Sequence, residues 1–101
     1  MVIVAGTMQL EPADREAFLR SRAEGIRATL SEPGCIEYSF SADGLDPGLV
    51  RLFELWESQE ALDVHLAGMA AKAGQGSAAP AVAVKKADIL KYTVSSHGPL
   101  R

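Results

Sequence analysis

The apolar side chains of this chain change period in a fixed order, strand-like, helical, twice strand-like, helical and strand-like again, and that order narrows the possible folds more than any single motif does. Residues 2–10 are rich in β-branched side chains and almost continuously apolar, which predicts a strand covered on both faces. Glu11-Pro12 places proline where a first helical turn tolerates it. From Asp14 onward Phe18, Leu19, Ala23, Ile26 and Leu30 recur at three- and four-residue steps, predicting one amphipathic helix. Its other face carries Arg15, Glu16, Arg20, Glu24 and Arg27 and reads as solvated, with Glu16 and Arg20 one turn apart. Ser31-Glu32-Pro33-Gly34 stops the helix, because proline disfavours helical geometry in the residue before it and glycine accepts turn dihedrals.

Cys35 to Ser41 alternates, sending Ile36, Tyr38 and Phe40 to one side and Cys35, Glu37 and Ser39 to the other, ahead of a turn-rich stretch from Asp43 to Gly48. Leu49 to Glu57 is the next strand, with Val50, Leu52, Glu54 and Trp56 on one face and Arg51, Phe53, Leu55 and Glu57 on the other; the two strands form a hairpin. Ser58 suits a helix N-cap, and Ala61, Leu62, His65, Leu66 and Met69 form the apolar side of a short second helix. Between Ala70 and Ala87 the small residues, Gly74, Gly76 and Pro80 predict a loop with at most one brief helix. Asp88 to Ser95 supplies a fourth strand, and residues 96–101 read as a tail outside a domain of residues 1–95.

The order βαββαβ predicts an α+β, ferredoxin-like arrangement, a four-stranded antiparallel sheet with two helices on one face. Large apolar residues at both parities of the strands would leave the second face wet, so a second copy is expected to cover it as a homodimer. A chain of 101 residues holds one hydrophobic core. Ten Lys and Arg against thirteen Asp and Glu, with no block of like charge, argue against nucleic acid as a partner. The single cysteine, Cys35, allows no intrachain disulfide and no thiolate metal cluster, which suits a reducing cytosol. The start lacks a basic leader, and no apolar run approaches the ~20 residues of a membrane span, so the expected location is cytoplasmic with no membrane partner.

Glu32-Pro-Gly-Cys-x-x-Tyr38, then Glu54-x-Trp56, then Ser58-x-x-Ala61-Leu-x-x-His65, resembles the signature run of antibiotic biosynthesis monooxygenase domains. The resemblance runs from the first strand through the second helix. It departs between Ala67 and Ala87, where many relatives carry an aromatic, often a further histidine, and a longer helix. It implies a dimeric α+β barrel with a pocket in each subunit between sheet and helices. It also implies oxidation of quinols, anthrones and similar electron-rich aromatics by molecular oxygen, generally with no metal or flavin cofactor. A base, an apolar cavity and polar anchors for developing charge are what such chemistry asks of a protein.

His65, on the apolar side of the second helix, is the candidate catalytic base, since histidine exchanges protons in the neutral range; the plainer reading is a core histidine holding a backbone carbonyl or a strand side chain. Trp56 could stack a flat aromatic substrate or simply pack the core. Glu54 shares its strand face with apolar residues and must be paired, exposed at a rim or functional, with Arg22 a possible partner. Tyr38 and Tyr92 could hydrogen-bond a substrate oxygen, or their rings could only pack. Cys35 reads as a small buried hydrophobe, His97 as a solvated tail residue, and Gly74-x-Gly76 lacks the context of a phosphate loop.

Haem-degrading relatives use an asparagine on the first strand, a tryptophan in the second helix and a ligating histidine about ten residues later. This chain has no asparagine, places His65 at the tryptophan position and has Gln75 near the ligand position, which disfavours haem cleavage. The expected function is a cofactor-independent monooxygenase acting on a small phenolic, quinol or polyketide-like aromatic. The alternative is a non-catalytic dimeric domain that binds a small ligand or regulates.

Overall fold

A computed structural model describes residues 1–74 and 82–101. The chain runs through β1 (Val2–Gln9), α1 (Pro12–Ser21), α2 (Ala23–Leu30), β2 (Cys35–Ala42), β3 (Leu49–Trp56), α3 (Gln59–Gly74) and β4 (Lys86–Thr93). The strands form one antiparallel sheet in the order β2-β3-β1-β4. This is the ferredoxin-like α+β fold that the order of periods predicts.

Register decides which residues meet the helices. Val2 lies opposite Trp56, Val4 opposite Glu54 and Met8 opposite Val50, and since side chains alternate along a strand these positions share one face. Two clusters form there. Val2, Trp56 and Leu62 pack with Ala61 and Tyr38; Leu10, Phe18 and Val50 pack with Met8 and Phe40. Trp56, Leu10 and Val50 are fully buried, and removing Leu10 or Val50 from water stabilises the fold by about 1.5–3 kcal/mol each. Ile3, Ala5, Phe53, Leu55, Leu90 and Tyr92 occupy the opposite face, where Leu90 is 62% and Tyr92 49% exposed.

The structure departs from the sequence reading in several places. The single helix expected from Asp14 to Leu30 is two, α1 and α2, broken at Arg22. Ser21 Oγ donates to the Phe18 carbonyl at 2.6 Å, and the Arg22 amide turns back to Leu19, a tightened turn of the kind that bends helices. Arg15 is not on a solvated face. Its guanidinium donates to the carbonyls of Asp43, Asp46 and Leu49 and ties α1 to the β2–β3 loop. Within that loop Asp43 accepts from the amides of Asp46 and Leu45 and then from Arg51, which together hold its carboxyl down to about 2.

A bulge between Cys35 and Glu37 resets the pleat of β2. Cys35 therefore joins Tyr38 and Phe40 on the helix face while Ile36 is 42% exposed, reversing the expected places of Cys35 and Ile36. On the far face β2 presents Glu37, Ser39 and Ser41, so apolar residues at both parities are a property of β1, β3 and β4 and not of β2. Ser58 Oγ accepts from the Ala61 amide at 3.1 Å, the expected cap, but α3 is a 16-residue helix and not a short one. Leu66 and Met69, expected on its apolar side, are about half exposed. The last strand begins at Lys86, ahead of the expected Asp88. The Gly74-x-Gly76 reading, Gln75 and the part of the Ala70 to Ala87 loop beyond Gly74 and before residue 82 lie outside the described residues.

Candidate functional site

Between α2, α3 and the sheet lies a cleft of ≈ 560 Å³, within the range of small-molecule sites. Phe40, Tyr38 and His65 line it as rings in contact, Phe40 on Tyr38 at 5.6 Å and Tyr38 on His65 at 5.5 Å, and the row continues behind the lining to Phe18, 6.1 Å from Phe40, and to Trp56, 4.8 Å from His65. Ile26 and Met69 flank the opening. Gly25 and Gly68 line it on α2 and α3, each with open space where a Cβ would stand. With Val64 69% and Met69 50% exposed at its rim, the space is an open cleft and not an enclosed cavity.

The polar centre is His65 with Glu32. Gly34 adopts φ +84°, a conformation open to glycine, and its missing side chain lets the turn settle on α3, where an added Cβ would stand 2.5 Å from Ala61 Cβ. The Glu57 amide donates to the Gly34 carbonyl at 2.8 Å and fixes the turn to the end of β3. His65 follows Ala61 by four residues and stands on the same side of α3, so Glu32 in the turn reaches it. His65 Nδ1 lies 3.1 and 3.2 Å from the two Glu32 carboxylate oxygens. A carboxylate only accepts, so Nδ1 carries the proton and, in the neutral ring, Nε2 is the basic nitrogen. His65 is 4% exposed, and its Nε2 is buried with no hydrogen-bond partner among the described residues. A buried polar atom left without a partner calls for an explanation, and a ligand donor is one.

Glu54 lies beneath this pair, 6% exposed, and accepts from Trp56 Nε1 at 2.9 Å. Burial pushes its carboxyl above the ordinary value, against the pull of the Trp56 hydrogen bond and the His65 charge. Burial, and then Glu54, push the Tyr38 hydroxyl up to about 12 while Arg22 pulls it down, so Tyr38 stays a neutral donor across physiological pH. Burial also raises the Cys35 thiol, followed by Glu32 and Glu54, which leaves it protonated and inert.

The fold thus brings His65, Tyr38 and Arg22 to the cleft, with Trp56 and Glu54 packed behind His65. Arg22 is not the partner of Glu54; that partner is Trp56, and the Arg22 guanidinium lies over the Phe18 ring at 5.2 Å. Tyr92 is separated from the cleft, because opposite Ile3 it faces away from the helices. Glu32 was missed as a site residue. Its place in the turn was read as a helix stop, and Glu32 and His65, 33 residues apart, carry no sequence spacing that signals their pairing.

Residues 1–77 match the antibiotic biosynthesis monooxygenase family, and the chain belongs to that family. A solved structure from Deinococcus radiodurans, assigned to the antibiotic biosynthesis monooxygenases, is 28% identical with a TM-score of 0.77, covering 100% of this chain and 99% of that one. The haem degrader MhuD of Mycobacterium tuberculosis, whose structure holds two haems in its active site, is 19% identical with a TM-score of 0.77 over 98% of this chain and all of that one, a likeness of fold. An uncharacterised protein of Synechocystis is 38% identical over 64 residues, 63% of this chain; the chain spans 44% of that relative's length. No helix among the described residues is long and apolar enough to cross a membrane.

Proposed function

We propose that this protein is a cofactor-independent monooxygenase that oxidises a quinol, anthrone or related phenolic aromatic with molecular oxygen. The observation that carries the reading is the buried, unpartnered Nε2 of His65, whose Nδ1 proton Glu32 holds in place beside a ring-lined cleft. Nε2 takes the substrate hydroxyl proton, and the protonated ring is stabilised by Glu32. Tyr38, a neutral donor, steadies the resulting oxyanion. The electron-rich anion passes an electron to oxygen, the radical and superoxide recombine as a carbon-bound peroxide anion, and the proton held on His65 converts it to the hydroperoxide. In an anthrone, loss of water from that hydroperoxide leaves the new carbonyl, so one oxygen atom enters product and the other becomes water.

A second copy packed against Ile3, Phe53, Leu55, Leu90 and Tyr92 completes the proposed homodimer and removes their apolar surface from water. A cytoplasmic location agrees with the lone reduced Cys35. The test is to mix the protein anaerobically with a panel of quinols and anthrones and then admit oxygen. Oxygen uptake matched mole for mole by oxidised product, and abolished in His65→Gln, is the expected result. Ligand binding with no oxygen uptake across the panel would favour the non-catalytic alternative.

A further inference from the structure

Seven of the ten cations of this chain are engaged among the described residues. Arg15 holds loop carbonyls, and Arg20, Arg27, Arg51, Lys85 and Lys86 each face a carboxylate, while Lys91 donates to Gln59. Arg22 and Lys72 make no ion pair among the described residues, and both line the cleft. The one acid that shares the cleft with them, Glu32, is taken up by His65. The cleft therefore carries two positive charges that have no carboxylate partner among the described residues, offset only by Glu32, whose negative charge a neutral His65 leaves in place.

Their position along the helices matters more than their number. α2 runs from Arg22 toward Glu32, and its eight residues span about 12 Å at 1.5 Å per residue. α3 passes His65 and reaches Lys72 seven residues later, about 10 Å further along. Both helices line one cleft and run in opposite senses, because each returns from a strand and β1 and β3 are antiparallel. Both cations thus stand at the end remote from the His65–Glu32 pair. Gly25 and Gly68 leave the space between the two ends open.

Resting on the reading of the cleft as a phenol site, we propose that its substrate class is a hydroxylated fused-ring aromatic acid. The hydroxyl lies at His65, and a carboxylate about 10 Å away is held by Arg22 and Lys72. The rings between them lie on Phe40 and Tyr38. The guanidinium of Arg22, 5.2 Å from the Phe18 ring centroid, offers the paired donors that a carboxylate accepts.

Calorimetric titration of the full chain with 2-naphthol, 6-hydroxy-2-naphthoate and the neutral 6-hydroxy-2-naphthamide tests this. The acid is expected to bind at least about tenfold more tightly than either neutral compound at low salt, with the advantage shrinking as salt screens the rim. Arg22→Gln with Lys72→Gln should bring the acid and amide affinities together, whereas Arg22→Lys should keep most of the preference. Thermal melts confirm that each variant is folded. Equal binding of acid and amide by the wild type, or a preference that survives the double substitution, overturns the substrate class and leaves the phenol site standing. Binding of none of the three overturns both.

Discussion

His65 and Glu32 meet with both carboxylate oxygens within 3.2 Å of Nδ1, and the far nitrogen of the same ring is buried without a partner among the described residues. One side of the imidazole is fixed by the fold, and the other is the nitrogen on which the proposed proton transfer rests.

Turnover should therefore depend unequally on the two residues. His65→Gln removes the proton acceptor and should lower kcat by about 100- to 10,000-fold. Glu32→Gln keeps an acceptor for Nδ1 and loses charge assistance, a smaller loss of about tenfold, or 1.4 kcal/mol. Steady-state kinetics on an active quinol or anthrone check this. Equal losses in folded variants would mean that the ring is not the base.

Glu54 gives a pH signature. Its carboxyl is raised above the ordinary 4.5 by burial, so from pH 4.5 up to its folded value the native state binds more protons than the unfolded chain. Stability contributed by the protonated group is therefore lost as pH rises through that window. Glu54→Gln keeps an acceptor for Trp56 Nε1 and has no proton to lose, so relative to wild type it should gain stability with rising pH. Urea unfolding between about pH 4 and 8 measures the difference; a constant difference would contradict the burial argument. Glu54→Ala leaves the Trp56 donor unpaired and should cost about 1–3 kcal/mol throughout.

Gly34 and Gly68 should respond oppositely to alanine. At Gly34 the positive φ and the approach to Ala61 predict a loss of about 1–3 kcal/mol, together with weaker ligand binding as Glu32 is displaced. At Gly68 the added methyl meets nothing within 4 Å and helix propensity predicts a gain of about 0.5–1 kcal/mol. Thermal melts of the two variants, with ligand titration, decide it.

The open sheet face predicts the assembly. Sedimentation of the wild type should give twice the 10.7 kDa chain mass, and Leu90→Glu should reduce it to one chain with its helical and strand content retained. A wild type that sediments as a single chain at micromolar concentration would end the dimer reading.

Element order and strand faces could be read from the sequence because they follow from period, and the β3 face of Val50, Leu52, Glu54 and Trp56 stands as expected. The break at Arg22 could not, since a serine hydroxyl bonded to its own helix leaves no mark on apolar spacing. The bulge in β2 escaped for a similar reason: alternation continues on either side of it, and the extra residue shows only once β3 lies alongside. His65 was visible in the site because a helix face carried it there. Its partner was not, because Glu32 reaches it through a turn whose closeness to α3 depends on an absent side chain at Gly34. Tyr92 was misplaced because a strand of mixed parity does not say which face meets the helices.

Every residue of β4 is exposed, and neither buried cluster includes one of them. The strand is hydrogen-bonded along β1 yet lends almost nothing to the interior. Its sequence is consequently freed from the demands of folding a single copy and answerable mainly to the neighbour it would meet. If two copies meet there, changes in β4 would retune how tightly, and with which close relative, they associate, while the cleft beside His65 keeps its shape.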